Sequence, residues 1–248
     1  MKALSILRTT TSPALPAAGG AMRMARATRG RLVQGLFCAF IAVAGVVPAH
    51  AAEPVAPPAK LALDRQGIRV WTHMAEGNPA VNYRATTVLN STVAGAAKLI
   101  LDPDIAPQWA PYVHRIDVIS PPDSAGIMVF RMELDLPFPL QDRDVVVRAR
   151  ITRTADGVFT LLGEAVTDAR APVRPDVVRI TRYQGGWTIR PAGAGQVEVT
   201  TRGYADLGGA VPLSLANLLV PQQLFHMLSN MRDQVGQPAF RKMTASLD

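Results

Sequence analysis

Hydrophobic and polar residues alternate through the middle of the chain, which is the pattern of half-buried β-strands. In the segment that begins at Ile127, the even positions are apolar and the odd positions include Arg131, Glu133 and Asp135. Successive side chains of a strand point to opposite faces, so the apolar set is predicted to face inward. The segment from Arg143 alternates in the same way. The predicted inward residues of these two strands are Met128, Phe130, Met132, Leu134, Leu136, Val145, Val147, Ala149 and Ile151.

Further segments are rich in β-forming residues and are separated by turn sequences such as Asp156-Gly157 and Gly185-Gly186. We therefore predict a run of antiparallel strands along most of the chain. The predicted strands cover residues 67–72, 81–89, 112–119, 126–135, 143–154, 157–167, 176–183, 186–190 and 195–205.

Two helical segments interrupt this run early. Ser91 or Thr92 can cap a helix that continues to Ile100, and a shorter helix is predicted over 103–109. The Ser-Thr pair could otherwise supply a nucleophile, but a helix cap is the favoured interpretation.

A long helix is predicted at the end of the chain, from Leu213 to about Val235, with a kink at Pro221. It is apolar nearly all round, which indicates apolar neighbours on two sides. One of its stripes consists of Leu213, Ala216, Val220, Leu224, Met227 and Met231. Strands followed by segregated helices predict an α+β fold.

The N-terminal residues read as an export signal. Residues 32–48 are apolar, arginines precede them, and Ala49-His50-Ala51 provides a small-residue cleavage site. We predict a signal peptide over 1–51, with the true start possible at Met22 or Met24, cleavage near Ala51, and a periplasmic or secreted protein. The alternative is an uncleaved membrane anchor, for which the apolar run is short.

Composition narrows the function classes. The formal net charge is +7, but six of the 26 basic residues and none of the 19 acidic ones lie in residues 1–51. The rest is nearly neutral, which argues against nucleic acid as a partner. Cys38 is the single cysteine, so no disulfide or cysteine-based site is expected after cleavage. Residues 52–60 are predicted to be a Pro/Ala-rich linker, 61–235 one domain, and 236–248 a tail.

Candidate chemistry is sparse. The histidines beyond the signal, His73, His114 and His226, have no metal-binding spacing, and neither a metal site nor a catalytic residue is predicted. Arg143 stands between two aspartates. It can form a polar mouth with His226, or hold the start of its strand by an ion pair at the Asp206 turn.

Four segments resemble the START (StAR-related lipid-transfer) family of the helix-grip superfamily, and the match runs from about residue 67 to 235. These segments are Trp109 with Pro111; Pro137-Phe138-Pro139-Leu140 followed by Asp142-Arg143-Asp144; Val178-Arg179-Ile180 followed by Gly186-Trp187 and Pro191; and residues 204–209 followed by Val211-Pro212 and Asn217. The chain is thus identified as a bacterial-type exported member.

The resemblance implies a helix-grip fold, in which a curved antiparallel sheet wraps around the C-terminal helix and leaves an internal hydrophobic tunnel for one sterol, phospholipid or similar lipid. The tunnel would be lined by inward residues of the two strands, namely Met128, Phe130, Met132, Leu134, Val145, Val147 and Ala149, and by Ala216, Val220, Leu224, Met227 and Met231. A monomer with transient membrane contact and no cofactor is expected, opening near 121–126, 170–175 and the last helix.

In cholesterol-transfer members an acid and a base occupy positions that fall at Phe130 and Ala149, so this tunnel is expected to be more apolar, and cholesterol is in doubt as its ligand. The resemblance leaves two alternatives to a non-catalytic carrier. One is a helix-grip enzyme of polyketide cyclase type, for which the predicted inward positions lack His, Asp, Arg and Tyr. The other is a lipid-sensing partner protein.

Overall fold

The computed structural model describes residues 59–193, 195–209 and 211–244. The predicted signal peptide and most of the predicted linker lie outside these residues. In the part of the chain that is described, no helix is long and apolar enough to cross a membrane.

The chain begins with three strands, β1 (Lys60–Arg65), β2 (Ile68–Ala75) and β3 (Asn78–Leu89). Two helices follow, α1 (Val93–Leu101) and α2 (Ala106–Trp109). The next strands are β4 (Val113–Ser120), β5 (Ile127–Leu134), β6 (Arg143–Arg153), β7 (Phe159–Ala165), β8 (Val178–Arg179), β9 (Arg182–Gly193) and β10 (Gln196–Asp206). The long helix α3 (Leu213–Gly236) and the short helix α4 (Pro238–Thr244) complete the fold.

The strands form one sheet in the order β1-β2-β3-β10-β9-β7-β6-β5-β4. All of these pairs are antiparallel, and only the two-residue β8 runs parallel to its partner, the start of β6. The early strands join the late ones through the pairing of β3 with β10, so both halves of the chain build the same sheet. The predicted curved antiparallel sheet with a C-terminal helix is confirmed.

Local sequence explains the first helix and its link to the second. The Thr92 side chain accepts a hydrogen bond from the Gly95 backbone N–H, so Thr92 caps α1 as predicted. The Trp109 indole N–H donates to the Leu99 carbonyl across 3.2 Å, and its ring meets Trp187 of β9 edge to face. These contacts fix α1 and α2 against the sheet.

Side chains fasten α3 near both of its ends. Asn217 accepts from the Val81 backbone N–H at 2.9 Å and donates to the Pro79 carbonyl at 3.1 Å. Arg232 donates to the Gln66 carbonyl at 2.9 Å and to the Thr87 hydroxyl. The helix therefore runs alongside β3, and the sequence from Leu213 to Gly236 stays helical through Pro221.

The structure changes three predictions. Strand β1 begins at Lys60 and was missed, because the preceding residues read as a linker. The predicted turn at Gly185-Gly186 is wrong, since both glycines lie within β9. Residues 236–248 are not simply a tail: 238–244 form α4, and Phe240 is buried in the core.

Candidate functional site

The strand register sorts the sheet residues onto two faces. We call the face that packs against α3 the inner face and the opposite one the outer face. Tyr83, Gly203, Gly185, Gly163 and Ala149 stand opposite one another on β3, β10, β9, β7 and β6. Residues two positions away from this row pack in the hydrophobic core, so the row belongs to the inner face.

The structure places the residues predicted to line a tunnel on the inner face and on α3. All of them except Ala216, which is partly exposed, belong to the core cluster or pack against it. The buried members are Met128, Val145, Val147, Ala149, Leu224 and Met231, and the partly buried members are Phe130, Met132, Leu134, Val220 and Met227. Phe130 and Ala149, at which an apolar tunnel was expected, both belong to this set.

The sheet has two distinct ends. The loops 76–77, 135–142, 166–177 and 207–209 lie together at one end, which we call the rim end, and α3 begins there. The opposite end, with the turns 66–67, 121–126 and 154–158, we call the far end. The predicted opening near 170–175 is thus at the rim end, whereas 121–126 lies at the far end and is not part of it.

Burial on the inner face differs between strands. Val145 and Val147 of β6 and Phe159 of β7 are at most 1% exposed. Phe130 and Met132 of β5, the neighbour of β6, keep accessible surface although they face inward. A side chain on the inner face stays accessible only where packing partners do not cover it. The accessible apolar surface of the inner face therefore lies on β5.

Helix α3 is packed unevenly along its length. Its second half buries Leu224, Phe225 and Leu228 against the sheet. Its first half holds Leu215, Leu218 and further apolar residues that remain exposed or half-exposed. The part of the helix at the rim end is thus the less firmly packed part.

Two tyrosines on the inner face were missed by the sequence reasoning. Tyr83 of β3 and Tyr183 of β9 both pack against the core and are partly buried. Burial raises the pKa of Tyr83 to about 12, with a hydrogen bond from the Thr201 side chain acting in the opposite direction. Burial also raises the pKa of Tyr183 well above its usual value, and Tyr83 adds to this rise. Both phenols are therefore uncharged at neutral pH.

The signal for Tyr83 was present in the sequence. Val81, Ala85 and Leu89 share its parity within the predicted strand 81–89, and all are buried. The position of Tyr183 was concealed by the turn predicted at Gly185-Gly186, which separated it from Ile189 in the same strand.

Arg143 lies on the inner face at the rim end and is only 2% exposed. Its guanidinium donates to the carbonyls of Gln141, Leu207 and Gly208. Burial lowers the pKa of Arg143, with Asp142 acting in the opposite direction. Arg143 does hold the start of β6 against the turn after β10, but it does so through carbonyls, so the predicted ion pair at the Asp206 turn is wrong.

The ion pair at this place is formed by other residues. Asp144 of β6 accepts two hydrogen bonds from Arg179 of β8, at 2.6 and 2.9 Å, and it is almost fully buried. Arg179 also donates to the carbonyls of Ala171 and Pro172. The pair therefore fastens the loop 166–177 to the sheet.

A cleft of about 210 Å³ opens beside Arg143 at the rim end. Its lining is polar and of mixed charge, and consists of His114, Glu133, Leu134, Asp135, Asp142, Arg143 and Arg174. Arg143 thus does border a polar opening. His226 is exposed on α3, with its Nε2 at 3.0 Å from the Gln222 amide nitrogen. The structure therefore does not bring His226 together with Arg143.

Apolar side chains are exposed around the rim end. Phe138 is 97% exposed in the loop 135–142, Val173 is 64% exposed in the loop 166–177, and Leu218 is 74% exposed on α3. Exposed apolar residues gathered from separate elements are typical of an interaction surface.

A second cleft, of about 540 Å³, lies on the outer face. Its lining includes the outer-face residues His73, Asn82, Arg148, Glu164 and Arg202, and it also borders the row from Tyr83 to Ala149. Among the described residues no cluster of His, Cys, Asp and Glu could hold a metal ion. For binding a ligand, the inner side thus provides apolar surface and the uncharged phenol groups of Tyr83 and Tyr183.

Comparison with known proteins identifies the family. The START domain model matches residues 72–239, which is more than half of the chain. The chain belongs to the START domain family. A STAR-related lipid transfer protein from Xanthomonas axonopodis is 31% identical, with a TM-score of 0.65 over 72% of this chain and 99% of that structure.

Sequence relatives agree with this family. An uncharacterized protein of Pseudomonas aeruginosa is 28% identical over 70% of this chain and 84% of its own length. The phosphatidylcholine transfer protein of Rattus norvegicus is 26% identical over 64% of this chain and 74% of its own length. The human StAR-related lipid transfer protein 5 shares the fold at 19% identity and a TM-score of 0.67, covering 72% of this START chain and 86% of the human one.

Proposed function

We propose that this START protein is an exported, non-catalytic lipid carrier of the cell envelope, which holds one lipid between the sheet and α3 at the rim end. The observation that carries the proposal is the accessible apolar surface of Phe130, Met132 and Leu134 on the inner face. Family membership supports it, as do the relatives from Xanthomonas and rat, whose names describe lipid and phosphatidylcholine transfer.

The energetics suit reversible carriage. Moving an acyl chain out of water stabilises it by about 0.8 kcal/mol for each buried methylene. Moving the same chain from a bilayer to an apolar cavity exchanges one apolar environment for another. The net change is small, so a carrier of this kind both loads and unloads at membranes.

Access to this lipid site would be at the rim end. There the first half of α3 is loosely packed and Phe138, Val173 and Leu218 are exposed. Apolar side chains of this kind enter the interfacial region of a bilayer. We propose that the protein contacts the membrane transiently with this surface.

The location in the envelope rests on the sequence of residues 1–51. N-terminal sequencing of protein isolated from its host, together with fractionation of the cells, tests this part. We expect a chain that starts at Ala52 or close to it, in the periplasmic or secreted fraction. A chain that starts near Met1 or is found in the cytoplasm contradicts it.

Native mass spectrometry of protein purified from its host tests lipid carriage. We expect a co-purified lipid, replaced by lipid taken up from vesicles after delipidation. Leu134→Trp should fill the lipid site and lower uptake, whereas Val129→Trp, on the other face of β5, serves as the matched control. Protein that stays lipid-free and takes up no lipid from vesicles rules out the carrier function.

A helix-grip enzyme of polyketide cyclase type is the second candidate, and Tyr83 and Tyr183 are the observation that favours it. Because burial keeps both phenols protonated, they can donate hydrogen bonds but do not act as bases at neutral pH. Turnover of a polyketide-like compound, lost in Tyr83→Phe with the fold intact, would favour catalysis over carriage.

A further inference from the structure

The inner face carries three neighbouring hydroxyl groups among its apolar side chains. Tyr83 on β3 and Tyr183 on β9 flank β10, where Gly203 and Ala205 are their direct partners. Thr201 precedes Gly203 by two residues on β10, so its side chain is on the same face, and it is buried. We call these three hydroxyl-bearing residues, Tyr83, Tyr183 and Thr201, the hydroxyl cluster.

Glycine makes room for this cluster. The Tyr183 ring lies along β9 over Gly185, where a methyl group would overlap the phenol oxygen. Gly203 and Gly163 continue the row on either side of Gly185. A larger side chain at Gly163 would meet Val147 and Ala149. The missing side chain of Gly185 therefore lets the Tyr183 ring lie against the sheet.

The hydroxyl cluster has hydrogen-bond donors and acceptors that the described residues do not use. Thr201 is the polar neighbour that acts on Tyr83, and the described residues give the Tyr183 hydroxyl no hydrogen-bond partner. Each phenol carries one donor and can also accept. Tyr183 is only partly buried, so a hydrogen-bonding group of the ligand can serve as the partner of its hydroxyl.

The surroundings of the cluster select against charge. No charged side chain contributes to the behaviour of either phenol, and both are strongly desolvated. The buried cation of the inner face, Arg143, is already engaged by the carbonyls of Gln141, Leu207 and Gly208. A charged headgroup placed at the cluster would lose its hydration without gaining a counter-ion.

From these observations we propose that the hydroxyl cluster binds the oxygen of an uncharged lipid, a hydroxyl or carbonyl group. This inference rests on the proposed carrier function and narrows its ligand to neutral polar lipids. Zwitterionic and anionic headgroups are disfavoured at the cluster.

Competition between lipids with identical acyl chains tests the inference. The delipidated protein is incubated with vesicles that contain dioleoylglycerol, dioleoylphosphatidylcholine and dioleoylphosphatidic acid, and the lipids that stay bound are quantified by mass spectrometry. We expect dioleoylglycerol to be retained preferentially. Tyr83→Phe and Tyr183→Phe should each lower its retention about two- to tenfold, the usual effect of one hydrogen bond.

Tyr204→Phe is the matched control, because Tyr204 lies on β10 with its side chain on the outer face; it should bind like the unchanged protein. Equal thermal unfolding of the variants shows that the fold is intact. Unchanged retention in both Tyr83→Phe and Tyr183→Phe, or a preference for a charged lipid, overturns the inference while leaving lipid carriage in place. If none of the three lipids is retained, the carrier function falls and the inference with it.

Discussion

Replacing Phe138 by serine should weaken membrane contact without emptying the cavity. Phe138 is 97% exposed at the rim end, so nearly its whole side chain is available to a bilayer. Full burial of a phenylalanine stabilises by about 1.5–3 kcal/mol. Since about 1.4 kcal/mol corresponds to a tenfold change in an equilibrium, the vesicle partition coefficient of Phe138→Ser should fall about tenfold to a hundredfold.

Co-sedimentation with vesicles measures this change, and the rate of lipid loading should fall with it. Val88→Ser is the control, since Val88 is also exposed but lies on the outer face near the far end. Lipid that is already bound should be retained equally by both variants. If Phe138→Ser partitions like the unchanged protein, or if Val88→Ser is affected as strongly, the rim end is not the membrane-binding surface.

Three further predictions concern the loop, the glycine row and the tyrosines. Asp144→Asn leaves Arg179 buried without its charged partner, so the free energy of unfolding should fall by about 3–5 kcal/mol. Thermal unfolding should show this as a lower Tm, and an unchanged Tm would show that the pair does not stabilise the fold. Gly185→Ala should displace the Tyr183 ring and lower retention of neutral lipid as Tyr183→Phe does, with a small change in Tm; full retention would contradict this. In an alkaline titration followed at 295 nm, Tyr83 should ionise only near pH 12, and stability should decline from about pH 10, where the unfolded chain begins to lose the proton. Because Tyr183 also ionises late, Tyr83→Phe should reduce the absorbance change of the late step, and an unreduced late step would contradict the assignment.

The sequence predicted much of this fold because its strands have one buried face. Alternation from Met128 to Leu134 placed the correct side chains inward, and Thr92 marked the start of α1. Alternation reports which face is buried, however, and not whether that face is filled. Which inward side chains stay accessible depends on how the helices lie across the sheet, which is a matter of tertiary packing.

The missed features have the same origin. Gly185-Gly186 resembles a turn locally, yet β9 continues through it because neighbouring strands approach closely: a side chain at Gly186 would overlap the Leu161 carbonyl. Arg143 looked like a partner for a carboxylate, but its position against the turn at 207–208 gives it carbonyls instead. Contacts between residues so far apart in sequence are not encoded in any local pattern.

The pairing of β3 with β10 also has a kinetic consequence. Thr86 and Val199 are 113 residues apart, yet the Thr86 hydroxyl donates to the Val199 carbonyl in the centre of the sheet. Closing so long a loop delays folding, because its entropy is lost before the strands gain their contacts. During synthesis, the centre of this sheet cannot form until the last strand has emerged, so the chain stays without its central strand pair through most of its translation.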